Sequence, residues 1–125
     1  MEYILISIEP KHIEQIRLGN KGYEFRKFKI RNSSIHKMLI YSCLPLQKVV
    51  AKCTLECVLE DSPENLWRRT SDKAGLSKKD FDKYFKGIEK GYAFKITDVE
   101  FFPEPLPLSE FGIAKAPRSI QYITL

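Results

Sequence analysis

Gly19-Asn20-Lys21-Gly22-Tyr23-Glu24-Phe25-Arg26 follows a short helical pattern and opens a strand. Alternation along a strand sends Tyr23 and Phe25 to one face, and Glu24 and Arg26, with Lys21 behind them, to the other. Two apolar anchors therefore stand beside an ammonium, a carboxylate and a guanidinium. Such a group can hold an anion or a polar base edge, or transfer protons; it can equally be an exposed strand face. The rest of the chain has to decide.

Upstream, Tyr3 to Ile8 is a nearly continuous apolar run and reads as a strand buried on both faces. Glu9-Pro10 starts a helix over 10–18, with Ile13, Ile16 and Leu18 as its apolar stripe and Gly19 as its stop. Downstream, Asn32-Ser33-Ser34 marks a turn, and Lys37 to Ser42 is a third strand ended by Leu44-Pro45. Lys48 to Leu59 is a long fourth strand. Its alternate residues Val49, Ala51, Cys53, Leu55, Cys57 and Leu59 are all small or apolar, which assigns them to the core face.

Asp61-Ser62-Pro63-Glu64 starts a second helix, anchored by Trp67. Ser77-Lys78-Lys79-Asp80 fits a capping box before a stripe of Phe81, Tyr84, Phe85 and Ile88. Tyr92 to Phe102 is a fifth strand, after which Pro103, Pro105 and Pro107 hold the chain extended. Ser119 to Thr124 is a last short strand. This order predicts an α+β fold: a small mixed sheet of five to six strands, strongly curved or closed into a barrel, with about three short helices.

At 125 residues, 43% hydrophobic and 30% charged, the chain reads as one globular domain over residues 1–125. No apolar run reaches the roughly 18–20 residues of a membrane helix. The first residues lack the basic start and cleavage site of a signal peptide, so a cytoplasmic location is expected. Cys43, Cys53 and Cys57 are odd in number and read as free thiols. Cys53 and Cys57 sit about 13 Å apart on one face of a strand, too far for one zinc site. With only His12 and His36 besides, no metal and no cofactor are expected.

The net charge of +5 makes this a basic protein and favours polyanionic partners. Arg26, Lys27, Lys29, Arg31 and Lys37 form one basic cluster, and Arg68, Arg69, Lys73, Lys78 and Lys79 a second. Together they can track a phosphate backbone, or form two solvated faces.

These elements, in this order, resemble an ASCH domain (activating signal cointegrator homology), a branch of the PUA-like superfamily. The resemblance rests on the opening strand and helix, the Gly19-x-Lys21-x-x-Glu24-x-Arg26 motif, the Leu39-Ile40-Tyr41-Ser42 strand and the Val49–Cys57 strand. Ser77 to Gly87, leading into Gly91-Tyr92-Ala93-Phe94 and the prolines, completes it. It covers nearly the whole chain. It implies a PUA-like β-barrel with a cleft at one end lined by the motif, and involvement with RNA or a modified nucleoside.

Two function classes follow from the resemblance. The first is an RNA- or modified-nucleobase-binding domain whose cleft uses Lys21, Glu24 and Arg26, with Tyr41, Ser42 and Tyr92 as further ligand contacts and Tyr122 beside them. Aromatic faces stack on exposed bases, although tyrosines in small sheets are commonly core lining. The second class is a small hydrolase, either a ribonuclease or an amidohydrolase on acetylcytidine, with Lys21 as catalytic group and Glu24 as general base. The amidohydrolase subgroup uses a lysine, a threonine and a glutamate. Lys21 matches the lysine, Glu24 stands at the threonine position, and Asp72 is only a loose match for the acid. An ionised carboxylate cannot donate a hydrogen bond as a hydroxyl does. A protein-interaction role, as in cointegrator-type proteins, is a third reading. His12 is expected to face solvent.

Overall fold

The computed structural model describes residues 1–125. In chain order the elements are β1 (Glu2–Ile8), α1 (Pro10–Arg17), β2 (Tyr23–Arg26), β3 (Lys37–Ser42), β4 (Lys48–Asp61), α2 (Pro63–Thr70), α3 (Lys78–Tyr84), β5 (Gly91–Leu106) and β6 (Ile120–Thr124). Short 3-10 turns occupy Ser71–Lys73 and Leu108–Phe111. No helix is long and apolar enough to cross a membrane.

The strands form one mixed sheet in the order β2-β5-β4-β3-β1-β6. β1 and β3 run parallel, joined through α1 and β2, and the other pairs are antiparallel. The backbone ladder runs from β2 to β6 without closing. The expected barrel is thus replaced by an open six-stranded sheet, though a curved one. Residues of β1 (Ile4, Ile6, Ile8) and of β5 (Phe94, Ile96) share one core with Met38, Ile40 and Ala51, although two strands separate β1 from β5. Only a strongly twisted sheet brings such strands around one core.

α1 starts at Pro10, whose fixed φ suits a first turn, and buries Ile13 and Ile16. Leu18, expected in that stripe, is exposed instead, because two residues beyond Ile16 lies on the opposite side of a helix. Ser62 and Ser77 cap the other helices, accepting from the backbone N–H of Asn65 and Asp80.

Alternation holds in β4 from Ala51 to Leu55 and then fails. Register shifts between Leu55 and Cys57, so Cys57 is exposed while Val58 packs on the core. A bulge inserts one unpaired residue and reverses which parity faces inward. Cys53 stays buried, so the two thiols do not share a face as expected. β5 outruns its predicted end and carries Pro103 and Pro105 within it. The β4–β5 register is irregular between Phe101 and Leu106, where missing amide donors are tolerated.

A third cluster lies under α2 and α3, where Phe25 meets Phe81 edge-on at 5.1 Å and the Trp67 ring packs tilted against Phe81 at 5.0 Å. Trp67 therefore anchors its helix as expected. This cluster positions the α2–α3 connection beside β2.

Candidate functional site

The opening motif is shaped by two loops crossing. After α1, Gly19 takes φ +82, and the amides of Asn20 and Lys21 both donate to Gln15 O. Lys21 then forms an isolated bridge with Ala74, and the Gly22 amide donates to Lys73 O at 2.8 Å. The crossing is tight: a Cβ on Gly75 would come within 2.4 Å of Lys21 Cβ. That close approach, at φ +71, explains glycine there.

Three charged side chains meet beneath this crossing. Lys21 Nζ donates to Ala74 O at 2.8 Å and lies 3.5 Å from Glu24 Oε1. Glu24 Oε2 is 3.0 Å from an Arg26 guanidinium nitrogen. Arg26 also donates to Ser119 Oγ, Phe25 O and Ser7 O, each at 2.9 Å. One carboxylate thus bridges two cations. Alternation places Glu24 and Arg26 on one face. Lys21 lies outside the strand, and its ammonium also stands 5.0 Å from the Phe25 ring centroid.

The triad is sealed. The side chains of Lys21, Glu24 and Arg26 are 1%, 5% and 13% exposed. Burial pushes the Lys21 ammonium below its ordinary pKa, with Arg26 adding to the shift and Glu24 opposing it. Removing one member of such a group strands the others without water, so the three stand or fall together.

Above the triad opens a cleft of about 670 Å³ between α1, β2 and α3. Its lining carries five cations (Lys11, Lys21, Arg26, Lys27, Lys83) and three carboxylates (Glu9, Glu24, Asp80), so the cleft is net positive. Tyr84, 37% exposed, stands at its α3 side. The Tyr84 ring meets Phe85 edge-on at 4.8 Å, and Lys27 Nζ lies 4.6 Å from its centroid. His12 and Gln15, one turn apart on α1, form the facing wall.

Lys21, Glu24 and Arg26 are therefore brought together in one cleft, while Tyr41, Ser42 and Tyr92 do not line it. Tyr41 packs with Leu5, Leu39 and Val49, and Ser42 is buried with its hydroxyl donating to Cys43 O at 3.4 Å. Tyr92 opposes Arg26 in the ladder, but its side chain lines a separate groove of about 300 Å³ with Lys29 and His36. Tyr122 Oη accepts from the Arg31 amide, away from the cleft. Asp72 is exposed in the 3-10 turn after α2 and is not part of the lining.

His12 departs from expectation, being partly buried on the cleft wall. Its one sequence signal is the flank it shares with Gln15 beside Ile13 and Ile16. Tyr84 was legible only as a member of the α3 apolar stripe. The second basic cluster is largely neutralised: Arg68 pairs with Glu64, Arg69 with Asp61 and Lys78 with Asp82, and Lys73 donates to Gly19 O. No group of three or more His, Cys, Asp or Glu side chains converges as a metal site.

The mixed α+β fold, with its six-stranded sheet and three helices, recurs in solved structures. The crystal structure of ASCH from Zymomonas mobilis superposes with a TM-score of 0.85 at 27% identity, covering 98% of this chain and 87% of that one. A tyrosine-to-phenylalanine variant of the same protein superposes equally well, at 26% identity and 90% of its own chain. A curated ASCH domain-containing ribonuclease of Z. mobilis is 31% identical over 94 residues, 75% of this chain and 64% of its own length. The chain belongs to the ASCH-domain family.

The large ribosomal subunit protein uL22 of Ureaplasma parvum is also 31% identical, over 123 residues. This chain spans 39% of that protein's length, and less than two thirds of the ribonuclease's. No protein-family model matches the sequence.

Proposed function

We propose that this ASCH domain binds single-stranded RNA, or a nucleobase within it, in the cleft between α1, β2 and α3. The observation that carries the reading is the pairing of a net-positive cleft with one exposed aromatic face. Tyr84 offers a surface on which a base can stack, and Lys27 and Lys83 beside it can meet phosphates. The Lys21–Glu24–Arg26 group forms the floor, contributing fixed charge and shape. The name of the curated Z. mobilis relative, a ribonuclease, supports an RNA-related role. Three unpaired thiols fit a reducing, cytoplasmic setting.

A salt-dependent titration with single-stranded RNA, single-stranded DNA and duplexes, together with a nucleoside panel, tests this. Preferential, salt-sensitive binding of single-stranded RNA is expected. Undetectable binding to all of them at low salt would end the reading.

Ribonuclease activity is a second reading, supported by the name of the Z. mobilis relative. Acetylcytidine amidohydrolysis has less support. Asp72 lies outside the cleft lining, and Glu24, in place of the threonine, has both oxygens held by cations.

A further inference from the structure

The cleft holds one imidazole, and unlike the charged groups of the floor it is not sealed. Lys21 has its ammonium engaged by Ala74 O and Glu24, and its side chain is 1% exposed. Glu24 has both oxygens held. His12 stands partly buried on the α1 wall of the same cleft, and neither ring nitrogen hydrogen-bonds to the protein.

We propose that His12 is the proton-transfer residue of this cleft and acts on a bound ribonucleotide by taking the proton of its 2′-hydroxyl. The inference rests on the RNA reading above and gives its ribonuclease alternative a base. A neutral imidazole nitrogen accepts the proton, and the freed 2′-oxygen bonds to the adjacent phosphorus. The bond from phosphorus to the 5′-oxygen breaks, and the leaving oxygen takes a proton from water. The hydroxide so formed takes the proton back from the imidazolium. The products are a 2′,3′-cyclic phosphate and a 5′-hydroxyl end, with nothing oxidised or reduced.

The surroundings suit a base. Burial holds the imidazole below its ordinary pKa, Lys21 and Lys11 push the same way, and Glu24 and Glu9 oppose. The ring is therefore neutral at neutral pH, as an acceptor must be. Sharing the cleft with it are Arg26 and Lys27 from β2 and just beyond, and Asp80, Lys83 and Tyr84 from α3. The excess of cations favours the extra negative charge that gathers on the non-bridging phosphate oxygens during attack.

The test takes the whole chain as wild type, His12→Gln and His12→Ala, with a short single-stranded RNA and its fully 2′-O-methylated copy. The wild type is expected to cleave only the unmethylated RNA, leaving cyclic phosphate ends, with a rate that holds as pH falls to the ordinary imidazole value of about 6.5 and drops only below it. Both variants should cleave about 100-fold more slowly or worse, yet bind the methylated copy within a few-fold of wild type, which also reports that they are folded. Cleavage undiminished in His12→Gln, or products lacking the cyclic phosphate, overturns the assignment. A folded His12→Gln that loses binding along with cleavage makes His12 a holding residue and overturns it too. Wild-type binding without cleavage overturns it while leaving the RNA reading intact; no binding of either oligonucleotide removes both.

Discussion

Arg26, at the end of edge strand β2, donates from Nε to Ser119 Oγ at 2.9 Å, just before the opposite edge strand β6. The same guanidinium reaches Ser7 O on β1 and Glu24 beside it. Two edges that share no ladder are thus joined through one side chain. Arg26→Ala is expected to cost about 3–5 kcal/mol, because it strips Glu24 of one cation in a buried site. Arg26→Lys should recover little, since an ammonium cannot reproduce the fork. Ser119→Ala, losing one bond, should cost about 1 kcal/mol. Urea denaturation of the three variants measures this order.

Gly75 and Gly87 provide a matched pair. Both have positive φ, but a Cβ at Gly87 would meet nothing within 4 Å, whereas at Gly75 it would strike Lys21. Gly87→Ala should therefore carry only the backbone penalty of about 1–2 kcal/mol. Gly75→Ala should cost about 1–3 kcal/mol more through overpacking. Equal midpoints in thermal or urea melts would contradict the tight crossing.

The bulge in β4 makes a chemical forecast. Cys57 is exposed, while Cys53 is buried and its thiol is pushed up to about 12 by desolvation. A thiol-specific reagent in native buffer should label Cys57 rapidly, leave Cys53 untouched until the protein unfolds, and reach partly buried Cys43 slowly. Peptide mapping by mass spectrometry reads all three.

His12 also imposes a pH dependence on stability. Its folded pKa lies below the ordinary 6.5, so between the two values the unfolded chain binds more protons than the folded one. Stability from this group is complete above about pH 6.5 and is lost as pH falls through that window. His12→Gln should flatten that part of the curve. Melting temperatures of both proteins at several pH values from 7 downward measure the difference.

Binding should separate stacking from charge. Tyr84→Ala is expected to weaken single-stranded RNA binding by about 1–3 kcal/mol with little change in salt dependence. Lys27→Ala and Lys83→Ala should each weaken it regardless of sequence and lower the salt slope by about one. Affinity titrations across a salt series distinguish the two behaviours.

Much of this molecule follows from local chemistry. The apolar run of β1, the cap at Ser77, the proline-started α1 and the strand from Lys37 to Ser42 all sit where hydrophobic period and capping residues put them. Lys21, Glu24 and Arg26 stood out as a charged group for the same reason, being close in sequence and regular in spacing.

What lay beyond the sequence depended on partners far along the chain. Nothing local says that Ala74 and Gly75 cross Lys21, that Ser119 meets Arg26, or that a bulge after Leu55 turns Cys57 outward. Tyr41, Ser42 and Tyr92 fall outside the cleft, and His12 and Tyr84 inside it, because sheet curvature and helix docking decide which side chains share a cavity. The sequence alone determined the elements and the charged motif, through interactions spanning a few residues. Only the tertiary structure decided that the motif is a sealed floor and that its exposed walls belong to α1 and α3. Burial and convergence are properties of long-range packing, and no window of sequence contains them.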